Sequence, residues 1–426
     1  MAVGTSIAME SDLTPRNLRT AAICLIGQSL GTSMLPLSAL ALVMLPMTGE
    51  FHWSRTQFSY AVSAVMWFGS LTGPFLGWAV DRWGVRPMVL GGTTAVGLAT
   101  FALCRISHLW QFCLCFCLMG ALGCSIGFVK VIGATFTKSR GKAFALMAAF
   151  FAMISSLLPQ LVNVLLTRMG WRGVFSTLGV LVLAVVVLLF FTLEEPGEMK
   201  RPRADAAGAS LLEGRTAAQA WKDRVFWVLV GAGVLTSLGA GWPQHQVAFL
   251  IGRGFTRQQV VNALSLTMFF SPLITMLSGW LADRARSAKI YAAFVLLTAV
   301  GILGQFLVAA NRGGTPLLWA AMYLGLILVN AQLPLTQYFY SRYFGMKAFG
   351  EIFSFHMSIW GLVIGFAPPL IGLLFERTGS YDRALLLIIA GNIAAALLLL
   401  TLGPYRYSAS PQAPIPKAGR EKVAIA

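Results

Sequence analysis

Long apolar runs separated by short polar stretches make up most of the chain. Roughly 20 apolar residues in a helix span the hydrocarbon core of a bilayer, and most of the runs reach that length. The runs cover residues 20–46, 57–80, 87–104, 109–136, 143–167, 173–193, 225–251, 258–282, 290–311, 315–341, 352–375 and 384–404. We therefore expect twelve transmembrane helices. A barrel would need strands of about ten residues with alternating polarity, and a stretch such as "LGVLVLAVVVLLFF" does not alternate.

The composition supports a surface that faces lipid. Of the 426 residues, 57% are hydrophobic and 11% are charged, whereas soluble domains carry about 25% charged residues. The net charge of +17 would suit a nucleic-acid partner, but most of the 32 Lys and Arg residues fall between alternate runs, on the side that holds both termini. Basic loops stay in the cytoplasm. We predict a multi-pass protein of the cytoplasmic (inner) membrane with both termini cytoplasmic and no nucleic-acid partner.

The chain divides into two similar halves. The hexapeptide "GWAVDR" at 77–82 recurs as "GWLADR" at 279–284, at the same place in each set of six runs. A parallel repeat of this kind is typical of transporters whose substrate binds between the halves near the middle of the membrane. The predicted units are an N-terminal six-helix bundle at 1–193, a cytoplasmic linker at 194–224, a C-terminal six-helix bundle at 225–404 and a cytoplasmic tail at 405–426.

The repeated hexapeptide ends a stripe of small residues. Gly69, Gly73 and Gly77 recur at every fourth position, which places them on one face of the second helix and lets a neighbouring helix approach closely. Asp81 and Arg82 follow at the cytoplasmic mouth, where charge pairs could break and form again as the halves repack; the alternative is that these charges only fix topology. The predicted gating residues are Gly77, Asp81, Arg82, Gly84, Arg86, Gly279, Asp283, Arg284 and Arg140.

The chain resembles a known family of membrane proteins. The pattern Gly-x-x-x-Asp-Arg-x-Gly-x-Arg at 77–86 is similar to the inner-loop signature of the major facilitator superfamily. The stretches "GWRGVF" at 170–175, "RYFGMKAFGEIF" at 342–353 and "PPLIGLLFERTGSY" at 368–381 resemble its monocarboxylate-transporter-like and oxalate/formate-antiporter-like branch. The resemblance implies an all-α membrane fold of two pseudo-symmetric six-helix bundles that performs secondary active transport.

The same resemblance breaks at two positions of the eighth helix. Monocarboxylate carriers of the family place a functional Asp and Arg there, whereas this chain has Ser271 and Thr275. The cation that would anchor a carboxylate at that place is missing. The identity of the substrate therefore does not carry over from the family.

Ionisable side chains inside a membrane are candidates for function. Lys130 is the one Lys, Arg, Asp or Glu within the twelve runs; it could bind an anionic substrate, or its ammonium could extend to the interface. His245 in "WPQHQ", and likewise His356, could couple transport to protons or stay neutral and hydrogen-bonded between helices. Neutral amides could line the same path. The predicted substrate-binding residues are Lys130, His245, Gln28, Gln160, Asn330 and His356.

These residues favour one function among several. The runs contain no acid to hold a cationic substrate, and Lys130 suits an anion. We predict a secondary transporter, acting as a monomer, that moves a small organic anion such as a carboxylate by symport or antiport, with protons as the possible coupling ion. The alternative is an exporter of neutral or amphipathic molecules.

Other classes fit the sequence less well. An enzyme would need a catalytic constellation at membrane depth, and a sensor would need an added soluble domain; neither is evident in the sequence. No nucleotide-binding motif indicates ATP as the energy source. The six cysteines have no accompanying His or acid, so they predict packing and neither a metal nor another cofactor.

Overall fold

The computed structural model describes residues 14–135, 140–193, 214–285, 287–308, 314–345 and 347–407. Within these ranges some helical side chains are outside the description, among them those of Asp81, Arg140, Asp283 and Asn330. Apart from two isolated bridges, the regular structure in the described ranges is helical. The expectation of an all-α membrane fold is confirmed, and the described residues of each of the twelve predicted runs are mainly helical.

We number the membrane segments 1 to 12 in chain order. Segments 1 to 6 are Pro15–Leu30 with Met34–Phe51, Arg55–Trp83, Val85–Ala102, Leu109–Leu122 with Ser125–Thr135, and the two parts of Arg140–Thr192 on either side of Gly170. Segments 7 to 12 are Arg224–Ser237 with Trp242–Gly252, Arg257–Phe269 with Ser271–Arg284, Lys289–Leu307, Gly314–Gly325 with Ile327–Phe344, Phe349–Ile364 with Ala367–Thr378, and Asp382–Leu400.

Nine helices of the described part are long and apolar enough to cross a membrane. One of them, 150–192, contains segments 5 and 6, which meet at Gly170, where φ is +68°. Segment 2 has the length but carries more Ser, Thr and Gly, and of segment 10 the part 316–325 is a shorter apolar helix. These three features account for the difference between nine spans and twelve segments.

Proline marks the internal breaks of three segments in the C-terminal half. Pro243, Pro272 and Pro368 each stand in the first turn of the second helical part of segments 7, 8 and 11. Proline has no N–H to donate and a fixed φ, so it is tolerated in a first turn but ends a helix that precedes it. The breaks in segments 7 and 11 lie beside the cavity described below.

The described part of the linker begins at residue 214, contains the short helix Ala217–Trp221, and lies at one end of the molecule, which we call the linker end. There Asp223 precedes segment 7 and accepts hydrogen bonds from Arg215 and from Arg406 of the tail. Burial raises the pKa of the Asp223 carboxyl, but the hydrogen bond from Arg406 and its other donors outweigh burial and hold the pKa below its ordinary value. The carboxylate therefore ties linker and tail to the C-terminal half.

Three apolar cores show how the two halves meet. The largest mixes side chains of both halves, such as Leu40, Phe112 and Trp242, and extends to the end opposite the linker end, which we call the far end. At the linker end the halves have separate cores, one around Phe128 and one around Phe226. The halves are therefore packed together at the far end and apart at the linker end.

Close helix packing within the C-terminal half depends on Gly301 of segment 9. A Cβ built there would lie 2.1 Å from the backbone nitrogen of Gly325. Gly301→Ala should therefore destabilise the protein by roughly 1–3 kcal/mol, because the obstacle is backbone that has to move. The measurement is thermal stability of the purified protein in detergent.

Gly91 of segment 3 offers a matched control for this substitution. A Cβ at Gly91 would meet nothing within 4 Å, so Gly91→Ala should leave stability unchanged or raise it by up to ~1 kcal/mol through helix propensity. Equal melting temperatures for the two variants would contradict the close approach of segments 9 and 10.

Candidate functional site

Segments 2 and 11 form the main polar contact between the halves at the far end. Both segments are mainly helical here, and the hydrogen bonds between them recur at helical spacing along one face of each segment. They run from Thr56 N to Glu376 Oε1 (2.7 Å), from Ser63 Oγ to Gly365 O (2.6 Å) and from Trp67 Nε1 to Leu362 O (3.0 Å). Two of the acceptors are backbone carbonyls beside the break in segment 11, so residues next to the break provide most of the acceptors of this contact.

Glycines of segment 11 bring these two helices together. A Cβ on Gly372 would lie 2.7 Å from the backbone nitrogen of Thr56, and one on Gly365 would lie 2.2 Å from Trp67 Nε1. Gly361 meets Ser70 in the same way. The small-residue stripe that closes the far end is therefore on segment 11, and the sequence analysis missed it although the spacing of these glycines is visible in the sequence.

His245 of segment 7 lies fully buried behind this contact. Its Nε2 is 3.0 Å from the carbonyl oxygen of Pro368 and 3.2 Å from Ser59 Oγ, and its Nδ1 is 3.2 Å from the hydroxyl of Tyr381. A carbonyl only accepts, so Nε2 carries the hydrogen and Nδ1 accepts from Tyr381. Arg55 in turn donates to the Tyr381 hydroxyl. A neutral imidazole satisfies every group in this arrangement.

Four amides join segments 5 and 8 at the same end. Gln160 Nε2 donates to Asn262 Oδ1 (2.9 Å), and Asn163 Nδ2 donates to Gln258 Oε1 (2.9 Å). Gln258 Nε2 donates to Asn262 Oδ1 at 2.8 Å and to Gln160 Oε1 at 3.2 Å. We call the two contacts, between segments 2 and 11 and between segments 5 and 8, the far-end clasp. Its hydrogen bonds come from backbone groups and uncharged side chains and include Glu376 as a carboxylate acceptor, and Arg55 of segment 2 places its guanidinium 3.6 Å from the ring centre of Phe375 in segment 11.

Toward the linker end, the faces of segments 2 and 11 that meet at the far end move apart. On segment 2 the face that contacts segment 11 continues to Trp78, whose side chain is 46% exposed. On segment 11 the corresponding face continues to the exposed Glu351. A Cβ on Gly73 or Gly279 would meet nothing within 4 Å. The stripe predicted on segment 2 is thus unpacked at Gly73, whereas Gly69 and Gly77 approach Gly120 and Ile126 of segment 4 in the same half.

The predicted gating residues lie around this open end. Gly84 joins segments 2 and 3 at φ +92°, a conformation that favours glycine. Arg86 donates to the carbonyl oxygen of Phe190 (2.7 Å), within its own half. Arg82 and Arg284 lie over indole rings, those of Trp78 and Trp280. A Cβ built on Gly77 would lie 4.0 Å from Ile126 of segment 4. The side chains of Asp81, Asp283 and Arg140 are outside the description.

A cavity of about 180 Å³ lies inside the C-terminal half. Segments 7, 9, 10, 11 and 12 contribute to its wall, and the breaks at 238–241 and at Leu326 border it. Most of the wall is apolar, with Ile302, Met357 and Ile388 among its members. Among the described residues that line it there is no Asp, Glu, Lys or Arg. The wall is therefore suited to an apolar molecule held by a few uncharged polar groups.

Three polar groups of this wall have no hydrogen-bond partner among the described residues. They are His356 Nδ1, Trp360 Nε1 and Asn392 Oδ1. His356 and Asn392 are 3% and 2% exposed. Buried polar atoms nearly always have partners in native proteins, so these atoms mark the part of the wall where a ligand or water would bind.

Gln305 of segment 9 fixes one side of the cavity. Its Oε1 accepts from Trp242 Nε1 (2.9 Å) and from Gln246 Nε2 (2.8 Å), and its Nε2 donates to the Ala321 carbonyl (3.2 Å). The fully buried amide thereby connects segments 7, 9 and 10. The indole of Trp242, which lines the cavity, is held in place by this bond.

The predicted substrate-binding residues do not form one cluster. His356 lines the cavity, whereas His245 and Gln160 belong to the far-end contacts. Lys130 is half-buried in the linker-end part of segment 4. Gln28 and Asn330 occupy two further places. Gln28 precedes the break in segment 1, with its Oε1 buried, and Asn330 is in segment 10 with its side chain outside the description.

Two buried amides of the site were missed at the sequence level. Asn392 stands alone in "LLLIIAGNIAAALLLL" and Gln305 in "GILGQFLV". A single amide in an apolar run needs a partner, because an unpaired amide in an apolar medium is costly. That signal could have identified both residues. The importance of Trp360 depends on tertiary packing and had no comparable signal.

Comparisons with known proteins agree with this architecture. Monocarboxylate transporter 11 from Homo sapiens is 26% identical over 79% of this chain and 71% of the relative. The MFS-type transporter YcxA from Bacillus subtilis is 23% identical over 82% of this chain and 85% of the relative. The Fujikurins efflux protein from Gibberella fujikuroi is 27% identical over 44% of this chain and 41% of the relative.

Solved structures share the fold. A bacterial homolog of the human lysosomal transporter Spinster, in an inward-facing and unoccupied conformation, superposes with a TM-score of 0.66 at 15% identity, covering 91% of this chain and 95% of that one. The family model of the Major Facilitator Superfamily matches residues 21–368. With two six-helix halves and a match over most of its length, the chain belongs to the major facilitator superfamily, whose members are transporters rather than enzymes.

Proposed function

We propose that this protein is a secondary active transporter that moves a small organic anion, a carboxylate, across the cytoplasmic membrane by alternating access. The observation that carries the proposal is the arrangement of the halves, which share a core at the far end and separate at the linker end. With the linker end in the cytoplasm, as the distribution of Lys and Arg favours, this is an inward-facing state.

The closed and open ends suggest how the cycle proceeds. The far-end clasp has to break when the halves rock, and the unpacked faces at Gly73 and Gly279 are then free to meet. Asp81, Arg82, Asp283, Arg284 and Arg140 stand at that closing end, where their charges favour one packing over another. Protons are the proposed coupling ion.

A carboxylate substrate is supported by the charge of one residue and by sequence similarity to named relatives. Lys130 supplies a cation in a chain whose twelve apolar runs contain no acid. Several relatives bear the name monocarboxylate transporter. The second candidate, export of neutral or amphipathic molecules, is favoured by the uncharged cavity wall and by the similarity to the Fujikurins efflux protein.

Transport into proteoliposomes tests the proposal. A panel of labelled carboxylates and their uncharged amides is offered with and without a pH gradient across the membrane. We expect saturable uptake of at least one acid, accelerated by the gradient, and no uptake by empty liposomes. Uptake of amides alone would replace the proposed function with the second candidate.

Two glycine substitutions on opposite ends should shift the conformational equilibrium in opposite directions. Gly372→Ala places a Cβ against the backbone at the closed far end, so it should favour opening there. Gly73→Ala meets nothing in the present state and should hinder only the state in which the linker end closes. Spin labels at positions 52 and 378 report the far-end distance.

We expect a longer far-end distance for Gly372→Ala and an unchanged or shorter one for Gly73→Ala. Each glycine serves as the other's control, because both changes add one methyl group to a glycine of a transmembrane helix. Identical distance distributions in the two variants would contradict closure at the far end.

The orientation is tested by cysteine labelling from each side of the membrane. Cysteines introduced at positions 205 and 415 should react with a membrane-impermeant reagent only from the cytoplasm, and one at position 378 only from outside. The unsubstituted protein is the control for its own six cysteines. Labelling of position 205 in intact cells would reverse the assignment of the two ends.

Lys130 is tested by measuring the affinity for an acid and for its amide. If the ammonium binds a carboxylate, the charge-assisted hydrogen bond contributes about 1.5–3 kcal/mol, so Lys130→Gln should weaken acid binding some ten- to hundredfold. Lys130→Arg keeps the charge with another geometry and should retain part of the affinity. Equal acid affinity in wild type and Lys130→Gln removes this residue from the site.

A further inference from the structure

The cavity of the C-terminal half has a size that restricts its occupant. An engineered protein cavity of roughly 150 Å³ with an aliphatic wall binds benzene, and this cavity measures about 180 Å³. One six-membered ring with a short substituent fits such a volume. Two indoles, those of Trp242 and Trp360, line it and offer faces or edges for a ring.

The electrical character of the wall restricts the occupant further. Its lining residues carry no formal charge apart from what His356 could acquire. An ionised carboxylate moved there would lose its hydration without gaining a permanent counter-charge, which strongly disfavours it. An uncharged molecule avoids that penalty.

The unpartnered groups specify the polar part of the occupant. Trp360 Nε1 can only donate, whereas Asn392 Oδ1 accepts and His356 Nδ1 does either according to its tautomer. A group that both accepts and donates matches Trp360 and Asn392 in hydrogen-bond type. A primary amide and a carboxylic acid in its protonated form have this property, whereas a carboxylate only accepts.

Packing holds the imidazole of His356 and the indole of Trp242 in the wall of the cavity. Gly233 of segment 7 leaves room for the imidazole, since a Cβ there would lie 3.1 Å from His356 Cε1. Tyr340 packs on the other side, with ring centroids 5.1 Å apart. Gln305 fixes Trp242 across the cavity. The site is thus preorganised by packing from several segments.

We infer that this cavity is a binding site for a single-ring aromatic molecule with one uncharged group that both donates and accepts hydrogen bonds. His356, Trp360 and Asn392 bind that group, and Trp242 contacts the ring. The inference goes beyond the proposed function, because the site takes an uncharged molecule and does not involve Lys130. Binding here and carriage of an acid can each be present without the other.

Equilibrium binding to the purified full-length protein tests the inference, with benzamide as the probe. Benzamide should bind saturably at one site, whereas benzoate at pH 8, which is ionised, and N,N-dimethylbenzamide, which cannot donate, should bind at least about tenfold more weakly. Absence of saturable benzamide binding, or benzoate of equal affinity, overturns the inference. This comparison needs no variant and is independent of any change in folding.

Substitutions then locate the site. Trp360→Phe and Asn392→Leu, which keep much of the side-chain volume, should each weaken benzamide binding about tenfold. Trp227→Phe is the matched control, since this indole is 52% exposed and donates to the Trp221 carbonyl outside the cavity; it should bind as wild type does. Saturable binding that neither cavity variant changes would place the ligand elsewhere and overturn the assignment.

The proposed function is judged separately by acid uptake into proteoliposomes. Acid transport by a protein that does not bind benzamide would remove the inferred site and leave the transporter. Benzamide binding that depends on Trp360 and Asn392, without acid transport, would support the site and count against a carboxylate as substrate.

Discussion

Backbone contact at Gly372 and its neighbours on segment 11 determines the state of the whole molecule. Segments 2 and 11 approach until the Thr56 backbone leaves no space for a methyl group. At this separation the short hydrogen bonds of the clasp can form, and the apolar side chains of both halves merge into one core. The separation of the halves at the linker end is the geometric counterpart of this contact, because two rigid bundles pressed together at one end diverge at the other.

The cavity and the clasp use polar groups in opposite ways. Both ring nitrogens of His245 have partners, Pro368 and Tyr381 within the C-terminal half and Ser59 across the halves, which fixes one arrangement of the ring. Around His356, in the wall of the cavity, buried polar atoms have no partner among the described residues. Two histidines that look alike in the sequence thus have different surroundings, and the difference arises from the partners that the fold brings to each ring.

The sequence predicted the fold well, because each segment is encoded locally. A run of apolar residues has to be helical in lipid, and its length suffices to identify it; the breaks at Pro243 and Pro368 are also visible in the sequence. The repeated "GWAVDR" and "GWLADR" indicated two halves. The site was predicted less well. Lys130, His245 and Gln160 are noticeable as polar residues in apolar runs. The sequence does not show which segments lie side by side, however, and in the fold these three residues lie away from His356.

The charge-poor character of the far-end clasp has a consequence for the ionic conditions on the two sides of the membrane. Salt screens interactions between exposed charges and hardly affects hydrogen bonds between amides, hydroxyls and backbone groups. At the far end Gln160, Gln258 and Ser63 make such bonds, whereas Arg82 and Arg284 stand exposed at the linker end. Ionic strength should therefore act on the balance between the two states mainly through the linker end, so that the composition of the compartment on that side has the larger effect on the resting conformation.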